Sequence, residues 1–168
     1  MRALWCASIA LLLLAGCNGN KAKQSQGTDI TAADTAVVNS VPQWEEPDTT
    51  IYGYSDGFGQ SAFTLVTKEG EEYDLSLTSE DAADPYGKIY GDREDSAYYA
   101  LTTRDNNEAV GVLINLSQLD KFTKNYSIYN GHLILEDGES RDWVEIQELT
   151  DHVFRAVGKS GKQYEFKR

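Results

Sequence analysis

Cysteine, histidine and basic residues are scarce in this chain of 168 residues. It has two cysteines and two histidines, and 15 lysines and arginines stand against 27 aspartates and glutamates, which gives a net charge of −12. Nucleic-acid binding depends on basic side chains that neutralise phosphates, so we expect no nucleic-acid partner. His132 and His152 are typical of surface positions, and no serine or cysteine is placed to complete a catalytic triad. The sequence therefore predicts a protein that is not an enzyme and has no cofactor.

A long apolar run is also missing. The segment from Ile9 to Leu14 is apolar, but it is too short to span a bilayer as a helix, which takes about 20 residues. It follows Arg2 and leads into the small residues Ala15 and Gly16. A positive charge, a short apolar segment and small residues are the parts of a secretory signal peptide. We predict that residues 1–16 are such a signal.

The four residues Leu14-Ala15-Gly16-Cys17 resemble the lipobox of bacterial lipoproteins. In that family the signal is cut before the cysteine, whose thiol carries a diacylglycerol and whose new amino group is usually acylated, often with palmitate. The resemblance implies that Cys17 is the lipidation site and the membrane anchor of the mature protein. Several acyl chains make such an anchor stable, because each buried methylene contributes about 0.8 kcal/mol.

The residues after Cys17 bear on the location in the cell envelope. Asn18 stands where an aspartate would resemble the inner-membrane retention signal of enteric lipoproteins, and no acidic cluster follows. The resemblance therefore implies the outer membrane, with the domain on its periplasmic face.

Residues 17–50 have the composition of a flexible tether. Large apolar residues are almost absent before Val37-Val38, so the segment cannot bury enough apolar surface to offset the entropy of ordering it. Residues 51–168 are numerous enough for one compact domain with its own core. Cys6 leaves with the signal and Cys17 carries the lipid, so we expect this domain to have no disulfide and no thiolate metal site. We expect a monomer.

Alternation of apolar and polar residues with a period of two dominates residues 51–168. It predicts hairpins whose turns lie at residues 68–71, 104–108, 130–131, 150–151 and 159–162. One helical turn is predicted over residues 117–122, with Ser117 able to cap it. We therefore predict an all-β fold, an antiparallel meander of about 8–10 short strands closed as a barrel, with a β-sandwich as the alternative. Closure is favoured because it removes exposed strand edges.

The C-terminal strands carry a family resemblance. The run from Trp143 to Thr150, followed by Tyr164 to Arg168, resembles the closing strands of small bacterial lipocalin-like lipoproteins. In those proteins an isoleucine-x-x-leucine-threonine strand precedes a hairpin that ends in an aromatic strand and a terminal arginine. The resemblance implies a lipocalin-like barrel, in a family that is largely of unknown function.

The segment from Tyr52 to Gly59 interleaves aromatic residues with glycines. Aromatic rings without bulky neighbours can line the mouth of a pocket, whereas glycine within a strand marks bulges and tight bends. Both interpretations stay open. We take Tyr52, Tyr54 and Phe58 as candidate ligand-binding residues of a non-catalytic binding module for a small apolar or glycan ligand or an envelope protein.

We predict no metal site. Residues 81–95 gather several carboxylates, and carboxylate oxygens are the ligands that calcium prefers. The spacing lacks the alternating Asp-x-Asp-x-Asp-Gly pattern of a dedicated calcium loop.

An alternative function comes from the last predicted hairpin. The run Ser160-Gly161-Lys162-Gln163-Tyr164 is similar to the Ser-Gly-x-x-Tyr loop of small β-barrel lipoprotein inhibitors of lysozyme. The resemblance implies that Ser160 and Tyr164 contact the partner, and an acidic barrel is electrostatically suited to a cationic lysozyme. A hairpin turn flanked by solvated lysines explains the same residues without a partner.

If the alternative holds, the protein inhibits a cationic lysozyme and the inhibition weakens as salt is added, because charge attraction is screened. Ser160→Ala is then expected to abolish it. The measurement is the rate of cell-wall lysis with each variant, and the absence of inhibition at low salt would remove this alternative.

Overall fold

Strands make up most of the described chain. The computed structural model describes residues 46–79 and 85–168, so Cys17, the predicted signal and most of the predicted tether lie outside the described residues. The strands are β1 Ile51–Phe58, β2 Ala62–Thr67, β3 Glu72–Ser76, β4 Lys88–Tyr90, β5 Tyr98–Arg104, β6 Ala109–Asn115, β7 Tyr126–Tyr129, β8 His132–Asp137, β9 Ser140–Leu149, β10 Val153–Gly158 and β11 Gln163–Lys167, and one helical turn, α1, covers Leu116–Leu119. Within these ranges no helix has the length and apolar character needed to cross a membrane. The predicted all-β fold is confirmed.

Five strands close into a small barrel. Their order is β3-β2-β1-β5-β6, and β6 returns to β3 through a parallel pairing of Ser76 with Ala109. Strand β4 continues along the same edge of β6, also in parallel. The barrel interior is filled by apolar side chains, among them Phe63, Leu65 and Tyr99. The predicted barrel is confirmed. Because its lumen is filled by side chains, any space for a ligand lies outside the lumen.

The other five strands form a second antiparallel sheet in the order β11-β10-β9-β8-β7. Its core side chains, including Leu133, Ile146 and Phe154, pack with α1 against Ala100 of β5 and Ile114 of β6. The predicted meander thus divides into a closed barrel and a covering sheet. The physical reason is that β5 and β6 are apolar on both faces, so the face outside the barrel also has to be covered.

The predicted hairpins are present, and their turns use residues that tolerate a left-handed backbone. Asn130 and Gly131 have φ of 46° and 75°, as a type I′ turn requires. The helical turn is present too, but its cap differs from the prediction. Asn115 Oδ1 accepts the Gln118 N–H at 3.0 Å, whereas Ser117 Oγ accepts the Tyr98 N–H at 2.9 Å.

Gly53 lets β1 approach β2 closely. A Cβ atom at this buried position would lie 2.5 Å from the Val66 carbonyl oxygen and 2.9 Å from Leu65 Cγ. Between Ser55 and Gly57 the register of β1 with β2 shifts, which marks a β-bulge. The glycines of this segment therefore have the packing and bulge roles that were one interpretation of the sequence.

We expect Gly53→Ala to lower the free energy of unfolding by about 1–3 kcal/mol, because the added methyl group would push two paired strands apart. Gly57→Ala is the matched control in the same strand. No atom lies within 4 Å of a Cβ built there, so its effect should stay within about 0.5 kcal/mol. Urea denaturation measures both, and equal effects of the two substitutions would contradict the close approach at Gly53.

Candidate functional site

A cavity of about 390 Å³ lies between the β4–β6 edge and the second sheet, and we call it the basic cavity. Ligand sites typically enclose about 300–1,000 Å³, so its size suits a small organic molecule. Strands β4, β6, β8, β9 and β10 all contribute to its wall. The lining residues are Lys88, Tyr90, Val112, Asn130, Gly131, His132, Leu133, Trp143, Val144, Glu145, Ile146, Val157, Gly158 and Lys159.

Trp143 provides the aromatic surface of the basic cavity. The β8–β9 pairing sets Leu133 opposite Val144, which leaves His132 and Trp143 together on the other face of this hairpin. Their rings stack with centroids 5.1 Å apart and planes inclined by 24°. Lys159 Nζ lies 3.8 Å from the centroid of the Trp143 ring, a distance typical of a cation–π contact.

The charge at the basic cavity is opposite in sign to that of the whole chain. Lys88 and Lys159 line it, against the single carboxylate Glu145. Among the residues that the structure describes, neither ammonium has a carboxylate within 4.0 Å, whereas five other basic side chains in the same ranges are paired within 3.0 Å. Two cations are therefore available to a ligand in a chain of net charge −12.

The two lysines of the basic cavity also affect the pKa of His132. Partial burial of the ring, followed by the charges of Lys159 and Lys88, lowers its pKa below the ordinary value of 6.5. The imidazole is therefore neutral at pH 7, and it can donate one hydrogen bond and accept another at the rim of the basic cavity.

Residues 46–50, the end of the predicted tether, fix the turn that forms one wall of the basic cavity. Thr49 donates to Asn130 Oδ1 from its backbone N–H at 2.7 Å and from its hydroxyl at 2.9 Å. The Asn130 N–H donates to Asp48 Oδ1 at 2.9 Å. Partial burial favours a raised pKa for Asp48, but the hydrogen bonds from Asn130 and Thr50 outweigh it and lower that pKa.

A second depression lies where β1 and β5 meet β7, and we call it the tyrosine groove. It is open to solvent, encloses about 520 Å³ and shares no lining residue with the basic cavity. Its lining residues are Tyr52, Tyr98, Leu116, Asp120, Lys124, Tyr126, Ser127 and Ile128.

The structure separates the three aromatic residues that the sequence grouped. Tyr52 lines the tyrosine groove, and Tyr54, 48 % exposed, packs on Tyr98 with ring centroids 4.9 Å apart. Phe58 lies with the barrel core, 4.6 Å from the ring centroid of Phe63. The bulge between Ser55 and Gly57 is the reason, because the extra residue turns Phe58 to the opposite face of β1.

The two candidate partner-binding residues meet at one carboxylate. Ser160 and Tyr164 both donate hydroxyl hydrogen bonds to Asp142 Oδ2, at 3.4 and 3.0 Å. These bonds tie the β10–β11 hairpin to β9, so both side chains have an internal structural role.

Three carboxylates come together on the surface, although the sequence predicted no metal site. Asp92, Glu94 and Asp151 present oxygen atoms within 4.8 Å of one another. Lys121 Nζ lies 2.5 Å from Asp151 Oδ1 and, with a hydrogen bond from Gln118, lowers the pKa of Asp151. Gln118 Nε2 also donates to Asp92 Oδ2, so internal donors bind two of the three carboxylates.

Sequence reasoning did not single out Lys88, Trp143 and Lys159 as site residues. The sequence placed Trp143 in a strand and Lys159 in a hairpin turn, and it offered no signal for Lys88. The hairpin that brings His132 and Trp143 to one face is β8–β9, which turns at Gly138-Glu139, where Gly138 has a φ of 62°.

Comparison of the chain with protein-family models, with curated proteins and with solved structures finds no significant match.

The lowered pKa of His132 makes the free energy of unfolding depend on pH. Because its pKa is lower in the folded chain than in the unfolded chain, the unfolded chain binds the proton first, and stability is lost as the pH falls through 6.5. We expect the free energy of unfolding to fall less between about pH 7.5 and about pH 5.5 in His132→Gln than in the unaltered chain. Urea denaturation at the two pH values measures it, and an identical loss in both proteins would contradict the environment described for His132.

Proposed function

We propose that this protein is a non-catalytic binding module whose basic cavity takes a small organic anion with a flat, apolar body. The observation that carries the proposal is that Lys88 and Lys159 both line the basic cavity, with Lys159 beside the Trp143 ring, in a strongly acidic chain. Within the described residues, neither lysine has a carboxylate within 4.0 Å. Both lysines are exposed, and a charge-assisted hydrogen bond from an ammonium to an anion is stronger than a bond between neutral groups.

The rest of the wall favours a ligand that is apolar away from its charge. Val112, Leu133, Val144 and Ile146 line the basic cavity together with the rings of Tyr90 and Trp143. Apolar surface buried there contributes about 25 cal/mol per Å². Glu145 disfavours a second negative charge on the same molecule, so we infer a monoanion.

The location is part of the same proposal. With Cys17 lipidated, the domain is held at a membrane, on the periplasmic face of the outer membrane, and the acidic surface keeps it off anionic headgroups. A module of this kind retains a small anion at the membrane without transforming it. The inhibitor alternative has less support, because Ser160 and Tyr164 are both engaged by Asp142.

The test uses the full chain with 2-naphthoate and its uncharged amide, 2-naphthamide, as probes. We expect the carboxylate to bind about tenfold or more tightly than the amide, since a hydrogen bond to a charged group is worth about 1.5–3 kcal/mol. Isothermal titration calorimetry measures both affinities.

The double variant Lys88→Gln/Lys159→Gln is expected to lose the preference for the carboxylate. Lys162→Gln/Lys167→Gln is the matched control, because it changes the net charge equally at lysines outside the basic cavity. Equal affinity for the two probes, no binding of either, or the same loss in the control would each contradict the proposal.

A further inference from the structure

The tyrosine groove is a second site of different chemistry. It presents three tyrosine rings and one oppositely charged pair. The basic cavity presents the rings of Tyr90 and Trp143 and two lysines that have no carboxylate within 4.0 Å among the described residues. The two sites have no residue in common, so a proposal for the groove stands apart from the proposed function.

Strand pairing explains how the rings come together. Tyr54 of β1 is opposite Tyr98 of β5, and Tyr52 is opposite Ala100. Tyr52, Tyr54 and Tyr98 therefore share the outer face of the barrel. The rings of Tyr52 and Tyr98 are inclined by only 22°, with centroids 6.4 Å apart. Tyr126 reaches the same groove from β7 of the second sheet.

Three polar side chains of the groove, those of Asp120, Lys124 and Tyr126, contact one another. The Tyr126 hydroxyl donates to Asp120 Oδ1 at 2.7 Å, and Lys124 Nζ lies 2.5 Å from Asp120 Oδ2. Burial and the bond to Asp120 raise the pKa of Tyr126, so its phenol stays protonated as a donor. The groove thus offers hydroxyl, carboxylate and ammonium groups while its own charges cancel.

We propose that the tyrosine groove binds a neutral oligosaccharide. The C–H face of a pyranose ring carries partial positive charge and stacks on the negative face of an aromatic ring. Sugar hydroxyls need both donors and acceptors, which Asp120, Lys124 and Ser127 supply. The volume of about 520 Å³ and the open form suit a chain of sugars that extends beyond the groove.

Other occupants fit less well. A purely apolar ligand would bury the Asp120–Lys124 pair without replacing its water. A nucleic acid strand could stack on the rings, but it needs a positively charged groove, and the net charge is −12. Lys68, whose Nζ lies 5.5 Å from the Tyr98 ring centroid, is exposed and can move aside for a sugar.

The test titrates the full chain with maltohexaose, cellohexaose and mannohexaose, and follows the ring signals of Tyr52, Tyr98 and Tyr126 by NMR. We expect at least one of the three to shift these signals at millimolar concentration. Tyr98→Leu, which removes a ring but keeps apolar volume, should lower the association constant about tenfold. Tyr86→Ala, which removes a tyrosine that is 68 % exposed elsewhere, should leave it unchanged.

Asp120→Asn keeps the shape of the groove and provides a second variant in case Tyr98→Leu does not fold, which its thermal midpoint reveals. It should weaken binding as well, because the amide supplies one acceptor oxygen in place of two and leaves Lys124 unpaired. The proposal is overturned if none of the three oligosaccharides shifts the tyrosine signals, if an acidic oligogalacturonate binds as tightly, or if Tyr86→Ala weakens binding as much as the groove variants. Failure of naphthoate binding would leave each of these outcomes unaffected.

Discussion

The fold depends on one wall, β5 with β6, that is buried on both faces. Tyr99, Leu101 and Leu113 point into the barrel, while Ala100 and Ile114 face the second sheet. A strand pair of this kind cannot leave either face in water, so the barrel alone would be incomplete. Both depressions lie along the contact that results. The basic cavity includes Val112 of β6, and the tyrosine groove includes Tyr98 of β5.

Buried amides hold the junction between this wall and α1. Asn115 Nδ2 donates to the Asp92 carbonyl at 3.0 Å, and Gln118 Oε1 accepts the Asp92 N–H at 2.7 Å. Gly91, with φ of 93°, fits only because it lacks a side chain, since a Cβ would lie 2.5 Å from Gln118 Oε1. These bonds fix the chain directly after β4, and β4 contributes Lys88 to the basic cavity. A fully satisfied polar network of this kind positions a site more strictly than apolar packing alone.

Residues that are close in sequence predict most of the fold, whereas the candidate site is formed by residues that are distant in sequence. The Asn130-Gly131 pair predicts the β7–β8 hairpin, because few other residue pairs adopt two left-handed conformations in succession. The position of Phe58 was not predictable, since one extra residue in a bulge reverses the face of all that follows. The parallel pairing of β3 with β6, which closes the barrel, likewise has no local sequence signal that predicts it. Lys88, Trp143 and Lys159 lie far apart along the chain, and each is unremarkable among its neighbours. Only the packing of the second sheet on the barrel brings them to one cavity.

We propose that a ligand binds between the barrel and its covering sheet, because apolar side chains fill the barrel lumen. Intermolecular nuclear Overhauser effects from bound 2-naphthoate test it most directly, because they locate the aromatic protons of the probe. We expect contacts to Tyr90, His132 and Trp143 and none to Phe63 or Leu65. Contacts to Phe63 and Leu65 in the barrel interior would contradict it.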